Sequence, residues 1–236
     1  MELTMVRVVL LSTLVALFSI SCSQSSVEKT SELSPEDMLE QAHRALLNLE
    51  YFKFSLSHSG DGTELFPGVM LSGIEGYLEF PDKSEFIVSA QLASMLLETR
   101  VVMTDGSVYM TDFFSGHWQE IPSDSLPINV LYFREALSSI LVSLENVELL
   151  GSVDSEGEFV TIKGTMRSSV IADFLSFVLP DDDVATAIIL KKDDNMLARI
   201  ILTGKILESD DVDMVRTLTL DGLDMPLPMS EPNITN

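Results

Sequence analysis

The spacing of apolar residues changes along the chain, and each change of period predicts a different secondary-structure element. Helical spacing comes first, at Met38, Leu39, Ala42, Ala45, Leu46 and Leu49. Ser34-Pro35 precedes it, a cap and first-turn pair typical of a helix start, so the pattern predicts a helix over Pro35–Leu49. From Phe52 the period becomes two, with Phe54 and Leu56 alternating against polar neighbours, which predicts a strand with one buried side.

Alternating positions bounded by turn residues predict a long series of further strands. They cover Gly73–Phe80, Glu85–Leu92, Leu96–Thr104, Val108–Thr111, Gly116–Glu120, Val147–Val153, Phe159–Met166, Val184–Leu190, Leu197–Thr203 and Met214–Leu220. Asp105-Gly106 is a strong signal for a tight hairpin turn between two of them. Helical spacing returns within Ile128–Leu144 and predicts a second amphipathic helix, and the apolar run Ser168–Leu179 predicts a short third one.

These elements predict an α+β fold, in which a single curved antiparallel sheet of nine or ten strands wraps around three helices. An antiparallel sheet can leave one face in water, but the apolar faces of the helices must be buried against the other. The periodicity leaves open whether the space between sheet and helices is filled by side chains or hollow.

The N-terminal apolar run predicts export. Val8–Ile20 carries no charge, follows Arg7 and ends at Ser21-Cys22. The run is shorter than the about 20 apolar residues of a membrane-spanning helix, and it suits the core of a signal peptide over residues 1–21. Cys22 after a small residue resembles the lipobox of bacterial lipoproteins, in which the thiol is acylated and becomes the mature N-terminus. Ser19 departs from that pattern, where Leu is usual, and an ordinary secretory signal with an incidental cysteine is the alternative.

The polar run after Cys22 predicts a flexible tether over residues 22–34. A domain over 35–224 follows, and the proline-rich tail 225–236 is predicted to be loose or to lie along the surface. Lipidation at Cys22 would anchor the domain to a membrane, and it places the exported protein on the outer face of the bacterial cytoplasmic membrane, with palmitate among the acyl groups that such an anchor carries.

Charge and cysteine content exclude several functions. The chain of 236 residues has a formal net charge of −23 at pH 7, which repels the phosphates of nucleic acids and anionic lipid headgroups. Removal of residues 1–21 leaves that charge unchanged, since the segment contains one acid, Glu2, and one base, Arg7. Cys22 is the sole cysteine, so the exported domain has no disulfide and no thiol for catalysis.

The sequence offers no candidate for catalysis, metal binding or a cofactor. His43, His58 and His117 are scattered and lack the spacing of a zinc site. The acidic turns, such as Asp181–Asp183, lack the glycine and terminal glutamate of a calcium loop, and solvated turns are the better interpretation. No Gly-x-Ser-x-Gly nucleophile motif is present. We therefore expect a non-enzymatic protein.

Several short motifs, in order, resemble the LppX/LprA/LprF/LprG family of bacterial lipoproteins, best known from mycobacteria. They are the proline-glycine loop and strand Phe66–Gly76, the hairpin Val102–Tyr109, the tryptophan strand Gly116-His117-Trp118 and the strand motif Thr161–Gly164. The resemblance implies a half-barrel sheet curved around helices, with an apolar cavity that holds the acyl chains of a glycolipid or triacylated lipid. It further implies lipid transport across the periplasm or cell envelope.

On that basis the apolar faces of the predicted sheet and helices become candidates for a lipid cavity. The candidate residues are Phe52, Phe54, Leu56, Ile74, Leu78, Phe86, Val88, Ala90, Leu97, Val101, Met103, Phe133, Leu137, Ile140, Val160, Ile162 and Phe174. We expect Val88→Trp or Val101→Trp to lower lipid uptake. The expected partners are a lipid or glycolipid, the membrane through Cys22, and an export or acceptor protein. The alternative is a scaffolding lipoprotein whose same residues form a packed core and which binds a protein.

Overall fold

The computed structural model describes residues 33–60, 62–123, 126, 128, 132–152, 157–175, 178, 181–223 and 225–233. The predicted signal peptide, Cys22 and nearly all of the predicted tether lie outside these residues. The helices are α1 (Pro35–Asn48) and α2 (Phe133–Val142), and the strands are β1 (Tyr51–His58), β2 (Thr63–Phe66), β3 (Val69–Glu79), β4 (Lys83–Leu92), β5 (Met95–Thr104), β6 (Ser107–Thr111), β7 (Trp118–Ile121), β8 (Glu145–Ser152), β9 (Phe159–Arg167), β10 (Asp183–Lys191), β11 (Leu197–Thr203) and β12 (Val215–Leu223).

The strands form an open curved antiparallel sheet, which confirms the predicted fold class. Among the described residues the sheet has twelve strands in the order β7-β6-β5-β4-β3-β1-β12-β11-β10-β9-β8, with β2 paired to β3 beside this series. The pairing of β1 with β12 joins an N-terminal meander to a C-terminal one in the middle of the sheet. The sequence pattern did not predict β2, and the strand count exceeds the expected nine or ten.

Helix α1 forms where the sequence predicts it. The Oγ of Ser34 accepts a hydrogen bond from the backbone N–H of Asp37 at 3.1 Å, and Pro35 occupies the first turn. Leu39, Ala42 and Leu46 form its buried side. The helix ends at Asn48, one residue before the predicted end, since Leu49 has extended backbone angles.

Helix α2 begins at Phe133 and is shorter than predicted, with buried Ala136, Leu137 and Ile140 following on one side. The guanidinium of Arg134 lies 3.4 Å from the centroid of the Phe80 ring, a cation–π contact. Its Nη2 also donates a hydrogen bond to the carbonyl oxygen of Leu49 at 2.5 Å. Arg134 thereby joins the start of α2 to the end of α1 and to the sheet.

The predicted third helix is wrong in the described part of Ser168–Leu179. Ser168–Ile171 forms a single 3-10 turn, and Leu175 and Val178 form isolated bridges with Ile128 and Leu207. A segment this short is marginal as an isolated helix, because few residues offset the cost of nucleation. Contacts with neighbouring chain segments decide its conformation instead.

Phe133 forms the centre of an aromatic cluster between sheet and helices. Its ring centroid lies 4.9 Å from that of Phe54, 5.4 Å from that of Phe174 and 5.7 Å from that of Phe52. These spacings are typical of favourable aromatic pairs. Phe52 and Phe54 are alternate residues of β1, so one face of that strand supports α2.

The described part of the tail lies along the sheet surface, one of the two arrangements that the sequence allows. The backbone N–H of Ser230 donates to Glu85 Oε2 at 2.6 Å, and Arg100 Nη1 donates to Ser230 Oγ at 3.1 Å. Among the described helices, none combines the length and the apolar composition required to cross a bilayer.

Candidate functional site

A cavity of about 540 Å³ lies between the sheet and α2. Phe54, Leu56 and Ile74 contribute its sheet side. Leu137 and Ile140 contribute the helix side, together with their neighbours. Apolar side chains make up most of the lining.

The strand register explains why these side chains meet. Leu56 of β1 lies opposite Leu218 of β12 and opposite Ile74 of β3. Leu218 in turn pairs with Ile200 of β11. Because alternate residues of a strand share a face, four adjacent strands present apolar side chains to the same space.

The volume distinguishes this space from an ordinary packing defect. Protein interiors are close-packed, and their few voids are near the size of a water molecule. A cavity of about 540 Å³ instead falls within the range of roughly 300–1,000 Å³ found for small-molecule sites. The space is therefore large enough for an organic ligand.

The structure brings eight of the predicted residues together around this cavity. They are Phe54, Leu56, Ile74, Phe86, Phe133, Leu137, Ile140 and Phe174. Whether these residues contact a lipid stays a prediction.

The other nine predicted residues lie away from the cavity lining. Phe52, Leu78, Val101, Met103, Val160 and Ile162 belong to the buried core, Val88 packs against it, and Ala90 and Leu97 are buried on β4 and β5. The strand residues that line the cavity lie on β1–β4, β11 and β12, whereas Val101 and Met103 on β5 and Val160 and Ile162 on β9 lie on the flanks of the sheet, where side chains fill the interior. Val88 and Val101 are not lining residues, so the cavity itself is tested by a substitution at a residue that lines it, and the effect of Val88→Trp or Val101→Trp on lipid uptake stays a prediction.

Sequence reasoning did not name several lining residues. The apolar ones are Leu71, Ile128, Ala136, Ile171, Leu175, Ile200, Leu202, Ile206, Leu207 and Leu218. Alternation in the predicted strands Leu197–Thr203 and Met214–Leu220 was a usable signal for those on β11 and β12. The pairing of β12 with β1, which brings them to the cavity, was not evident from periodicity.

One end of the cavity is polar. His58, Thr63, Glu64, Glu208, Ser209 and Arg216 form it. His58 and Arg216 are partners in the β1–β12 register, two positions beyond the apolar pair Leu56 and Leu218. The exposed side chains of Glu64, Glu208 and Ser209 place this end at the protein surface.

A buried ion pair holds the polar end together. Arg216 Nη2 donates hydrogen bonds to Asp210 Oδ1 at 2.5 Å and to Thr63 Oγ1 at 2.8 Å. Asp210 Oδ2 accepts hydrogen bonds from the backbone N–H groups of Ile206 at 2.9 Å and Leu207 at 2.7 Å. The side chains of Arg216 and Asp210 are 6% and 0% exposed, so the two charges compensate each other away from water.

His58 is neutral at pH 7. Burial, assisted by the positive charge of Arg216, lowers the pKa of its imidazole from 6.5 to about 4. A neutral imidazole carries one N–H donor and one acceptor nitrogen. The polar end therefore combines one compensated charge pair with an uncharged hydrogen-bonding group.

A second depression, of about 530 Å³, lies on the other face of the same strands. Lys53, Glu75 and Asp221 contribute to its lining, and Leu227 and Pro228 of the tail border it. Because its lining carries charges of both signs, this depression suits a hydrocarbon ligand less well than the first cavity does. Within the described ranges, no group of three or more His, Cys, Asp or Glu side chains is arranged to hold a metal ion.

Solved structures with this fold include two mycobacterial lipoproteins. The chain is similar to the crystal structure of LprF from Mycobacterium bovis, with a TM-score of 0.63 and 12% identity over 84% of this chain and 96% of that one. It is also similar to the lipoprotein LppX of Mycobacterium tuberculosis, with a TM-score of 0.56 and 14% identity over 83% of this chain and 98% of that one. No curated protein matches the sequence significantly.

The open curved sheet around the described helices α1 and α2 defines a half-barrel whose interior retains an apolar cavity. The chain belongs to the LppX_LprAFG lipoprotein family, whose model matches residues 34–224. The family assignment confirms the resemblance found in the sequence motifs.

Proposed function

We propose that this protein is a membrane-anchored, non-enzymatic lipid binder that holds an acyl chain of a lipid or glycolipid in the apolar cavity. In this proposal it carries the lipid between the membrane and the cell envelope. The observation that supports it is the cavity of about 540 Å³ between the sheet and α2. The packed-core alternative, a scaffolding lipoprotein, accounts less well for so large an apolar space.

Hydrocarbon burial is sufficient to retain such a ligand. Each buried methylene contributes about 0.8 kcal/mol, so a chain of about 16 carbons contributes roughly 12 kcal/mol. Association costs an estimated 4–15 kcal/mol in lost freedom of motion. The two terms are similar in size, which allows a bound ligand to be released as well as held, as a carrier requires.

The anchor in this proposal is the acylated thiol of Cys22. Stable attachment requires more than one acyl chain, because a single chain binds a bilayer only marginally. The net charge of −23 does not favour adsorption to anionic lipids, so the covalent anchor keeps the protein at the outer face of the cytoplasmic membrane. In this proposal the predicted polar tether, residues 22–34, lets the domain reach away from the bilayer.

Photo-crosslinking of the full chain in bilayer nanodiscs tests lipid binding. The probe is an alkylglycerol whose sixteen-carbon chain carries a diazirine, and the labelled peptides are mapped by mass spectrometry. We expect labelling on peptides of α2, β11 and β12 that contain cavity-lining residues. Labelling that never reaches these peptides contradicts the proposal.

Two tryptophan variants test whether the labelling depends on the cavity. Ala136 is 8% exposed and lines the cavity on α2, so Ala136→Trp places an indole in the ligand space and should lower the labelling severalfold. Glu135 precedes Ala136 on α2 but is exposed and lies outside the lining, so Glu135→Trp is a matched control that should leave the labelling near the wild-type level. Equal labelling of both variants would contradict the assignment of this cavity as the lipid site.

Carriage requires a separate measurement. Donor vesicles that contain a fluorescent acyl lipid are mixed with acceptor vesicles that carry the full chain, and the rate of lipid transfer is recorded. We expect the wild-type chain to accelerate transfer and Ala136→Trp to accelerate it less. An unchanged transfer rate together with positive crosslinking indicates storage of the lipid without carriage.

A further inference from the structure

The polar end of the cavity has hydrogen-bonding capacity that the described residues leave unused. Arg216 Nη1 and His58 Nδ1 are buried, and neither has a hydrogen-bond partner among the described residues. Both residues line the cavity, and they are opposite each other across β1 and β12. A buried polar group without a partner costs free energy, so a ligand that supplies the partner is favoured at this position.

The unused groups lie where a hydrocarbon chain would end. On the antiparallel strands β1 and β12, the apolar partners are Leu56 and Leu218, and the pair His58 and Arg216 lies two positions from them, toward the end of β1 and the start of β12. A ligand with its chain between the sheet and α2 therefore has its polar group beside these two residues. Its outer portion then reaches the exposed Ser209 and the surface.

The charges at this end favour an uncharged ligand. Asp210 already compensates the charge of Arg216 at 2.5 Å, and the exposed carboxylates of Glu64 and Glu208 lie at the same end. A fatty-acid carboxylate or a phosphate would add a negative charge beside these acids. An ester carbonyl accepts a hydrogen bond without adding charge.

The volume favours one chain. An engineered cavity of roughly 150 Å³ binds benzene, a ligand of six carbons. In the same proportion, the cavity of about 540 Å³ holds roughly twenty carbons. That is one long acyl chain, and a second chain of similar length would remain outside.

We infer that the polar end recognises the uncharged ester group of a single-chain acyl ester, such as an acylglycerol or an acylated sugar. The ester carbonyl accepts a hydrogen bond from Arg216 Nη1, and an adjoining hydroxyl of the ligand bonds with His58 Nδ1. This inference rests on the proposed lipid-binding function and specifies the headgroup that the same cavity accepts.

Competition against the alkylglycerol probe tests this inference in full-chain nanodiscs. The first comparison is between 1-monopalmitoylglycerol and 1-O-hexadecylglycerol, which share a chain length and differ by the ester carbonyl. A hydrogen bond from a charged donor is strong, and we expect the ester to displace the probe at about one-tenth of the ether concentration. Equal displacement overturns the ester site and leaves the lipid-binding function intact. Failure of the probe to label the cavity at all contradicts the function itself.

Two larger headgroups separate charge from size and distinguish the ligand sources. Sucrose monopalmitate is an uncharged acyl ester, and palmitoyl-lysophosphatidylglycerol is an acyl ester with a negative charge. We expect the uncharged ester to compete better than the anionic one. Stronger competition by the anionic ester overturns the preference for an uncharged group. If monopalmitoylglycerol displaces the probe and sucrose monopalmitate does not, the site is assigned to acylglycerols.

A conservative variant assigns the preference to Arg216. Arg216→Lys keeps a positive charge opposite Asp210 but replaces the forked donors by one compact ammonium. We expect the ratio of ether to ester concentration to fall from about ten to about one, whatever happens to overall affinity. Arg44→Lys, on the exposed side of α1, is the matched control and should retain the wild-type ratio. An ether-to-ester ratio that stays near ten in Arg216→Lys overturns the role of Arg216. His58→Phe, which also removes a polar partner of the ligand, is a second test, and we expect a smaller fall in the same ratio.

Discussion

Arg216 Nη2 lies 2.5 Å from Asp210 Oδ1, and both side chains are almost completely buried. The same carboxylate accepts hydrogen bonds from the backbone N–H groups of Ile206 and Leu207, which line the cavity. One ion pair therefore fixes the segment that precedes β12 to the start of that strand. It positions the polar end of the cavity as well as part of its apolar lining.

Asp210→Ala should lower the free energy of unfolding by about 3–5 kcal/mol, because it leaves a buried guanidinium without its counter-charge. Denaturation with urea, followed by circular dichroism, measures the change. Asp183→Ala is the matched control, since its pair with Arg167 at 3.1 Å is largely exposed and exposed pairs contribute about 0–1 kcal/mol. A loss in Asp210→Ala no greater than that in the control contradicts the structural role of the buried pair.

The neutral state of His58 predicts a pH dependence of stability. Its pKa is about 4 in the folded protein against 6.5 ordinarily, so between these values the unfolded chain binds more protons than the folded one. Stability is therefore lost as pH falls through this window, by at most about 2 kcal/mol between pH 7 and pH 5. His58→Gln removes the titration, and the wild-type curve should fall relative to that of the variant. Parallel curves would show that His58 does not become harder to protonate on folding.

Gly76 provides a test of close packing next to the cavity. A Cβ at this position would lie 2.6 Å from the carbonyl oxygen of Glu85 and in collision with Phe86, which lines the cavity. Overpacking typically costs about 1–3 kcal/mol, and we expect Gly76→Ala to lower the unfolding free energy by that amount. In Gly73→Ala, on the same strand, the nearest contact is the carbonyl oxygen of Leu56 at 3.1 Å, so the loss should be smaller. The reverse order of the two losses contradicts this packing.

Cys22→Ala tests the anchor that the sequence predicts. Growth with a radiolabelled or alkyne-bearing palmitate should label the wild-type chain, whereas the variant should remain unlabelled and appear in the supernatant after membranes are pelleted. Ser26→Ala, in the predicted tether, is a control that should keep both the label and the membrane association. Membrane association of Cys22→Ala without label would favour an anchor other than the lipidated cysteine.

Local signals predicted much of the fold. Capping by Ser34 and Pro35 and the helical spacing through Leu46 predicted α1 to within one residue of its end. Among the described residues, alternation marked segments within eleven of the twelve strands, although the expected total was nine or ten, and the largest difference at a strand start is in β3, which begins at Val69 and not at Gly73. The missing strand, β2, has only four residues, Thr63–Phe66, too few for an alternating pattern to stand out. In the described part of Ser168–Leu179 the predicted helix is wrong, because the composition of the segment suits a helix while its conformation depends on tertiary contacts.

The cavity was predicted less completely, and the reason is topological. Apolar alternation identifies a buried face but does not distinguish a side chain in solid core, such as Val101, from one beside a space, such as Leu56. The His58–Arg216 pair was not predicted, because its residues are far apart in sequence and meet only through the register of β1 with β12.

The sequence by itself determined the α+β class with a curved antiparallel sheet, the face of each strand that is buried, and the charge that excludes nucleic acid, since each follows from local periodicity or composition. Only the tertiary structure decided which buried side chains pack against each other and which line a cavity of about 540 Å³. It also decided that one end of this cavity is polar. The physical reason is that packing and strand pairing join residues far apart in the chain, while the hydrophobic pattern records only whether each residue is removed from water.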